Sequence, residues 1–352
     1  MFLRRIWTVV AAAVILFVLE AALASANGGP LYEPADGSGL LQLDEQSNVS
    51  LVREKVVFTI PNVSTPHQNE AKVSVQYELN NKNDFIKQLD VLFFTPSSRS
   101  LTIMEGNKVI PGSLATDSKT LNWYAKPRYT VTDPISGKTM SMHGDGKNQT
   151  VATRFSLSFE ANETKSIVIQ YSEIGGMYDK GVINTLFFHQ YYVTPAKFWE
   201  GDPLVELEVN LYKTSDKLYS NLPMEKTGPS TYTAAFKQLP GEEWYFSYTN
   251  PKRLFFPTNI EKDHNLYVLL TSVLMAAIAA GLALFFRKSL ILIISSAGIW
   301  AFTVFYITKL GGYPFNAIFV GFTDAAVGAM LIVCNVMVYM RIKAGRKNGI
   351  SL

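Results

Sequence analysis

Between residues 266 and 340 the chain carries three apolar runs joined by very short turns. Residues 266–286 and 289–308 contain no charge, and residues 315–340 are interrupted only by Asp324. About 20 apolar residues span a bilayer core as a helix. In lipid a helix is the one form of such a run that satisfies its own backbone. Three transmembrane helices are therefore predicted, over 266–286, 289–308 and 315–340.

Basic residues set the direction. Arg287 and Lys288 fill the first turn, and Arg341, Lys343, Arg346 and Lys347 follow the third run, whereas the turn "KLGGYPF" holds Lys309 alone. Lys and Arg concentrate on the cytoplasmic side, which puts the 341–352 tail in the cytoplasm and everything before residue 266 outside. The N-terminus independently says the same. Arg4 and Arg5, an apolar stretch over 6–19 and the small residues Ala24-Ser25-Ala26 have the layout of a secretory signal peptide, residues 1–26. The sequence thus predicts a multi-pass plasma-membrane protein with an extracytoplasmic N-terminal domain. The basic tail would rest on membrane lipids.

Cys334 is the one cysteine and lies in the third run, so the exported part has no disulfide. Exported domains in oxidising compartments often use disulfides, and their absence points to a bacterial envelope. A net charge of +3 with basic residues at membrane flanks gives no case for nucleic acid.

Residues 27–50 are rich in Gly, Pro, Ser and acids and read as a flexible leader. From Glu54 onward the pattern has period two. "EKVVFTI", "AKVSVQYEL", "RFSLSFE", "KSIVIQY", "PLVELEVNLY", "STYTAAF" and "EEWYFSYT" alternate apolar and polar and are separated by turn residues. The expected fold over 51–258 is an all-β, antiparallel β-sandwich of ten to thirteen strands. The glycines of "SEIGGMYDKG" mark where a second lobe would begin, near 173–181. Trp244, Phe246 and Tyr248 alternate and are assigned to the core.

No constellation for catalysis is evident. His67, His143, His189 and His264 are far apart, and no GxSxG elbow, Walker loop or GxGxxG occurs. Glu242 and Glu243 are consecutive on a strand and point to opposite faces. The sequence calls for no cofactor and no metal. The polar loop 124–150 carries Met140, Met142 and His143, donors that suit soft copper; the competing reading is a hairpin with both methionines turned inward.

Two sets of residues remain. In "NTLFFHQYYVTPAKFWEGDP", Phe187, His189 and Tyr191 share one strand face and Trp199 follows in a loop. Exposed, they would make an aromatic binding surface for a partner or a sugar; covered, they belong to a strand buried on both faces. In the third run Ala317, Gly321, Ala325 and Ala329 recur every fourth residue, a spacing that lets helices approach closely. Asp324 lies one position from Ala325 and three from Gly321 in sequence. A carboxylate near mid-bilayer costs about 2.5–3.5 kcal/mol and usually faces a bundle interior or a partner.

The function expected from these features is binding or interaction at the membrane's outer face, as an accessory subunit of a bacterial envelope or transport assembly. A membrane-protein partner, or self-association through the helices, is implied. The alternatives are a stand-alone sensor of a surface ligand or polymer, and an envelope-acting enzyme at the membrane surface.

Overall fold

The computed structural model describes residues 32–33, 37–42, 47–61, 70–96, 101–115, 128–142, 151–213, 215–308 and 315–347. The stretch expected as a signal peptide, residues 1–26, as well as His67, His143 and the last five residues, lie outside the described residues. Two compact units result, one within Pro30–Lys252 and one from Arg253 onward.

The first unit is all β, with nineteen strands among the described residues. In chain order these begin with β1 (Tyr32–Glu33), β2 (Gly37–Gln42), β3 (Val49–Thr59), β4 (Glu70–Asn81) and β5 (Lys87–Thr95). The short β6 (Thr102–Glu105), β7 (Lys108–Ile110) and β8 (Ser113–Leu114) come next, then a hairpin of β9 (Thr130–Thr132) and β10 (Thr139–Ser141). They continue with β11 (Val151–Phe159), β12 (Thr164–Ile174), β13 (Gly176–Tyr178), β14 (Leu186–Tyr191) and β15 (Leu204–Asn210). The last four are β16 (Lys217–Ser220), β17 (Glu225–Lys226), β18 (Thr231–Phe236) and β19 (Trp244–Thr249).

An eight-stranded sheet runs β17-β18-β15-β3-β4-β12-β6-β7. A nine-stranded sheet runs β1-β13-β14-β2-β5-β11-β8, with β19 on β14 and β16 on β19. The alternation read from the sequence explains how the two face each other. On β4, Ala71, Val73, Val75, Tyr77 and Leu79 are buried while Lys72 and Gln76 are exposed. These side chains join Val56, Phe58 and Leu207 of the same sheet and Leu89, Phe93, Phe155 and Trp244 of the other in one core. Phe58 meets Trp244 and Phe246 edge-on, with ring centroids 5.4 and 5.1 Å apart.

Three expectations are corrected here. The sheets are mixed, not purely antiparallel: β15 runs parallel to β3, and β2 parallel to β14. After β14 the chain turns through a 3-10 segment, Thr194–Phe198, and re-enters the eight-stranded sheet at the end where β3 starts, beside Ser50. The expected leader contains β2, which fills the place between β14 and β5. Its glycines read as loose in sequence but serve close approach, since a Cβ on Gly39 would stand 2.7 Å from the Tyr192 carbonyl oxygen. The expected lobe boundary is a change of sheet within one compact unit. The chain leaves β12 in the eight-stranded sheet and enters β13 in the nine-stranded one at Gly175, where a Cβ would lie 2.5 Å from the Phe188 carbonyl oxygen.

The 124–150 loop supplies β9–β10, and the inward-methionine reading holds. Met142 is buried and Met140 partly buried against Val131, Tyr178, Leu186 and Phe188. The hairpin thereby covers the outer face of β14.

The second unit contains α1 (Glu261–Phe285), α2 (Ser289–Thr308) and α3 (Phe315–Lys347). All three are long and apolar enough to cross a membrane. Arg287 takes a left-handed φ of 54° between α1 and α2. Lys288 N–H bonds the Ala283 carbonyl and Arg287 N–H that of Leu284, the Schellman closure that usually employs glycine. Ala279 and Ala283 pack on Leu292, and Ile299 on Val327 and Leu331. Leu270, Leu274, Ile278, Ile293, Ile294 and Ile332 point outward, the inverse of a water-soluble bundle.

Candidate functional site

The feature that most sets the β unit apart is a seam of polar groups in its core. It begins with a β-bulge. Along β3, Val49 and Leu51 face inward; at Val52 the register shifts by one residue, and Glu54, Val56 and Phe58 face inward instead. Val52 is left unpaired and exposed. A one-residue shift exchanges the faces of a strand, so the bulge is what brings Glu54 into the core.

There Glu54 is 2% exposed. It lies beside Tyr77 of β4 and Val205 of β15. The Tyr191 hydroxyl, from the facing sheet, donates to Glu54 Oε1 at 2.8 Å. With its proton so committed, Tyr191 accepts from the Tyr77 hydroxyl, 2.5 Å away. Glu54 Oε2 has no hydrogen-bond partner among the described residues. Burial raises the Glu54 pKa to about 8, against the Tyr191 and Tyr77 hydroxyls, which favour the anion; the charge of Glu243 adds to the rise. Tyr191, Tyr77 and Tyr171 are held well above the usual phenol range, mainly by burial. All four groups are therefore neutral at pH 7.

A second trio continues the seam. Glu173 of β12 places Oε1 2.7 Å from His189 Nδ1 of β14, and accepts from the Ser38 hydroxyl of β2 at Oε2, 3.2 Å. His189 and Ser38 are fully buried and Glu173 is 1% exposed. Phe58, Phe246 and Tyr248 enclose the imidazole, with ring centroids 5.4–6.1 Å away. The bare Cα of Gly175 admits the ring on its remaining side, since a Cβ there would lie 2.5 Å from Cε1. The trio ties strands of both sheets together, but Ser38 sits on the carboxylate and not on the imidazole. It lacks the relay from serine to histidine that nucleophilic catalysis needs.

The predicted aromatic ribbon is thus not a surface. His189 and Tyr191 are fully buried and Trp199 is 4% exposed, with Phe187 partly covered. The alternative reading, a strand covered on both faces, is what the structure shows: the second sheet covers one face and the β9–β10 hairpin helps cover the other. Sequence reasoning missed Glu54, Tyr77, Glu173 and Ser38. A signal was present for two of them. Glu173 falls in phase with Ile167, Ile169 and Tyr171, and Glu54 with Val56 and Phe58, so each acid sits on the apolar face of its strand.

In the helical unit Asp324 lies on the face of α3 that meets α2, with Val327 and Leu331. Trp300 Nε1 of α2 donates to its backbone carbonyl at 3.1 Å. Its Oδ1 has no hydrogen-bond partner among the described residues. Gly321, Ala325 and Ala329 face away and are exposed, so they do not close the chain's own helices. That task falls to Gly328, where a Cβ would meet the Trp300 indole nitrogen at 3.4 Å. Ser296 of α2 accepts from Asn335 Nδ2 of α3 at 2.8 Å. Ser272 and Thr303 pair across α1 and α2 at 3.2 Å. Among the described residues no three His, Cys, Asp or Glu side chains are grouped to hold a metal ion.

Fold and site together define a mostly β domain of mixed sheets, followed by three apolar helices able to span a membrane. No family model and no curated protein matches the chain. Among solved structures it is similar to a Legionella pneumophila protein described provisionally as nutrient binding. Identity is 12% and the TM-score 0.44, over 61% of this chain and 72% of that one.

Proposed function

We propose that this chain is a membrane-anchored extracytoplasmic binding protein, an accessory subunit of a bacterial envelope or transport assembly in the plasma membrane. One observation carries the reading: α3 leaves Gly321, Ala325 and Ala329 exposed while Asp324, in the same helix, has a carboxyl oxygen without a hydrogen-bond partner among the described residues. Small residues let a second helix approach, and a membrane-embedded carboxylate is most economically satisfied by a neighbouring helix. One apolar helix would suffice to anchor the β domain. Three helices with an uncovered packing face suit association with other spans.

Purification in mild detergent followed by mass spectrometry tests this. Co-eluting helical membrane proteins are expected, and Asp324→Leu and Gly321→Leu should reduce them while the β domain stays folded. A clean monomer, or undiminished partners in both variants, removes the reading. Orientation is tested separately. A reporter active only in the cytoplasm should work when fused after Leu352 and fail when fused after Asn250.

A further inference from the structure

The Glu54 seam has a consequence that does not depend on the accessory-subunit reading. A carboxylate enclosed between two sheets is tolerated when paired with a cation or neutral. The groups around Glu54 can be named from every strand that packs on it. On its own sheet they are Tyr77 and Tyr171, with apolar Val205 on the other flank. From the facing sheet comes Tyr191, and Glu243 acts through its charge. Further along the seam, Glu173 and His189 are engaged with each other. None of the groups acting on Glu54 is an arginine or lysine. Its one hydrogen-bond donor is the Tyr191 hydroxyl, its other carboxyl oxygen has no partner among the described residues, and the charge of Glu243 repels it.

We propose that Glu54 is a proton-binding site that makes the cohesion of the two sheets depend on the pH of the compartment the domain occupies. With its proton the side chain is neutral, accepts from Tyr191 and lets the sheets close. Without it, a charge with one hydrogen bond sits in an apolar core, and opening β3 to water becomes favourable. The bulge at Val52 supplies the place to open, because pairing to β4 is already interrupted there. Opening should centre on β3 and on β14, whose Tyr191 meets Glu54 across the two sheets.

The direction follows from linkage. The ordinary carboxyl value is 4.5 and the closed-state value about 8. Between them the closed form retains a proton that the open form has lost. Cohesion is therefore greatest on the acid side, weakens as pH rises from the lower value, and levels off above the higher one.

The test is hydrogen exchange by mass spectrometry on the full chain in detergent micelles, from pH 6 to 9.5, with protection normalised to the intrinsic rate at each pH. In the wild type, protection in peptides covering 49–59 and 186–191 should fall by up to about tenfold per pH unit to about pH 8, then flatten. Peptides from α1 should not change. Glu54→Gln, which is isosteric and cannot ionise, should show no fall. Tyr191→Phe removes the donor to Oε1 and should carry the fall to higher pH, a second readout should the glutamine variant fail to fold. An equal fall in Glu54→Gln, or none in the wild type, overturns the proposal.

Discussion

Glu54 and Asp324 are both carboxylates among apolar side chains, one in each unit, and their surroundings differ. Glu54 is enclosed by β3, β4, β12 and β14 and accepts a hydrogen bond from within its own domain. Asp324 is half-buried on α3 and has no such bond to its Oδ1. The β unit buries Trp244, Tyr77 and Tyr191 completely, and leaves Glu54 Oε2 and His189 Nε2 without a hydrogen-bond partner among the described residues. The helical unit satisfies part of its polar inventory, through Ser272–Thr303 and Asn335–Ser296, and leaves large apolar faces uncovered. What separates the two units is therefore their surface: the β unit encloses its polar seam within a core, and the helices turn large apolar side chains outward, as suits lipid or other helices around them.

The comparison can be broken first at the sheet change. Gly175→Ala would put a methyl group 2.5 Å from both the Phe188 carbonyl oxygen and His189 Cε1. Overpacking against backbone should cost about 3 kcal/mol or more. Urea unfolding followed by intrinsic fluorescence would show it. A loss below about 0.5 kcal/mol, the scale of an ordinary surface change, would mean that the seam is not tightly closed.

Tyr191→Phe should cost less, and its cost should depend on pH. Below pH 7 a neutral acid loses a hydrogen bond, about 1 kcal/mol; at pH 9 an anion loses it, about 2–3 kcal/mol. Urea midpoints at the two pH values decide the matter. A loss that does not change with pH would mean that Glu54 keeps one charge state across that range.

In the helical unit the effects should be smaller. Asn335→Leu gives up the bond to Ser296, and side-chain bonds between membrane helices average about 0.6 kcal/mol. Thermal unfolding in detergent would read it. The same assay should find Gly328→Leu destabilising, because Trp300 stands in the way, and Gly321→Leu neutral, because no atom lies within 4 Å of a Cβ there. Equal effects of the two glycine variants would contradict the assigned packing face.

The smallest change belongs to the outer face of the eight-stranded sheet. Arg53 pairs there with Glu206, and both are partly exposed. Screened by water, Arg53→Ala should alter stability by no more than about 1 kcal/mol, measured by the same urea titration.

The long strands were legible because β4, β11, β12, β15 and β19 repeat the period-two pattern over enough residues to leave little doubt. The three helices were legible from length alone. β2 was not, because "GSGLLQ" is too short and too rich in glycine to show a period, and its place depends on strands remote in sequence. Glu54 keeps phase with Val56 and Phe58, but the bulge breaks the phase that would have carried the pattern on from Val49 and Leu51, so its place in the core was only partly legible. On α3 the row of small residues suggested the packing face. Placement of Trp300 on α2 decides it instead, in favour of Gly328, and no pattern within one helix contains that information.

β2 has a consequence for the order in which this domain can be built. It lies ahead of nearly every other strand in the chain, yet its neighbours are β5 and β14. A chain made from its N-terminus releases β2 long before β14 exists, and the pairing of Gly37 and Ser38 with Gln190 and Tyr191 must wait. Such long-range contacts are slow to form and leave strand edges uncovered in the meantime. Maturation of this domain should therefore be gated by its earliest segment, and a chaperone that shields a waiting strand would act on residues 37–42.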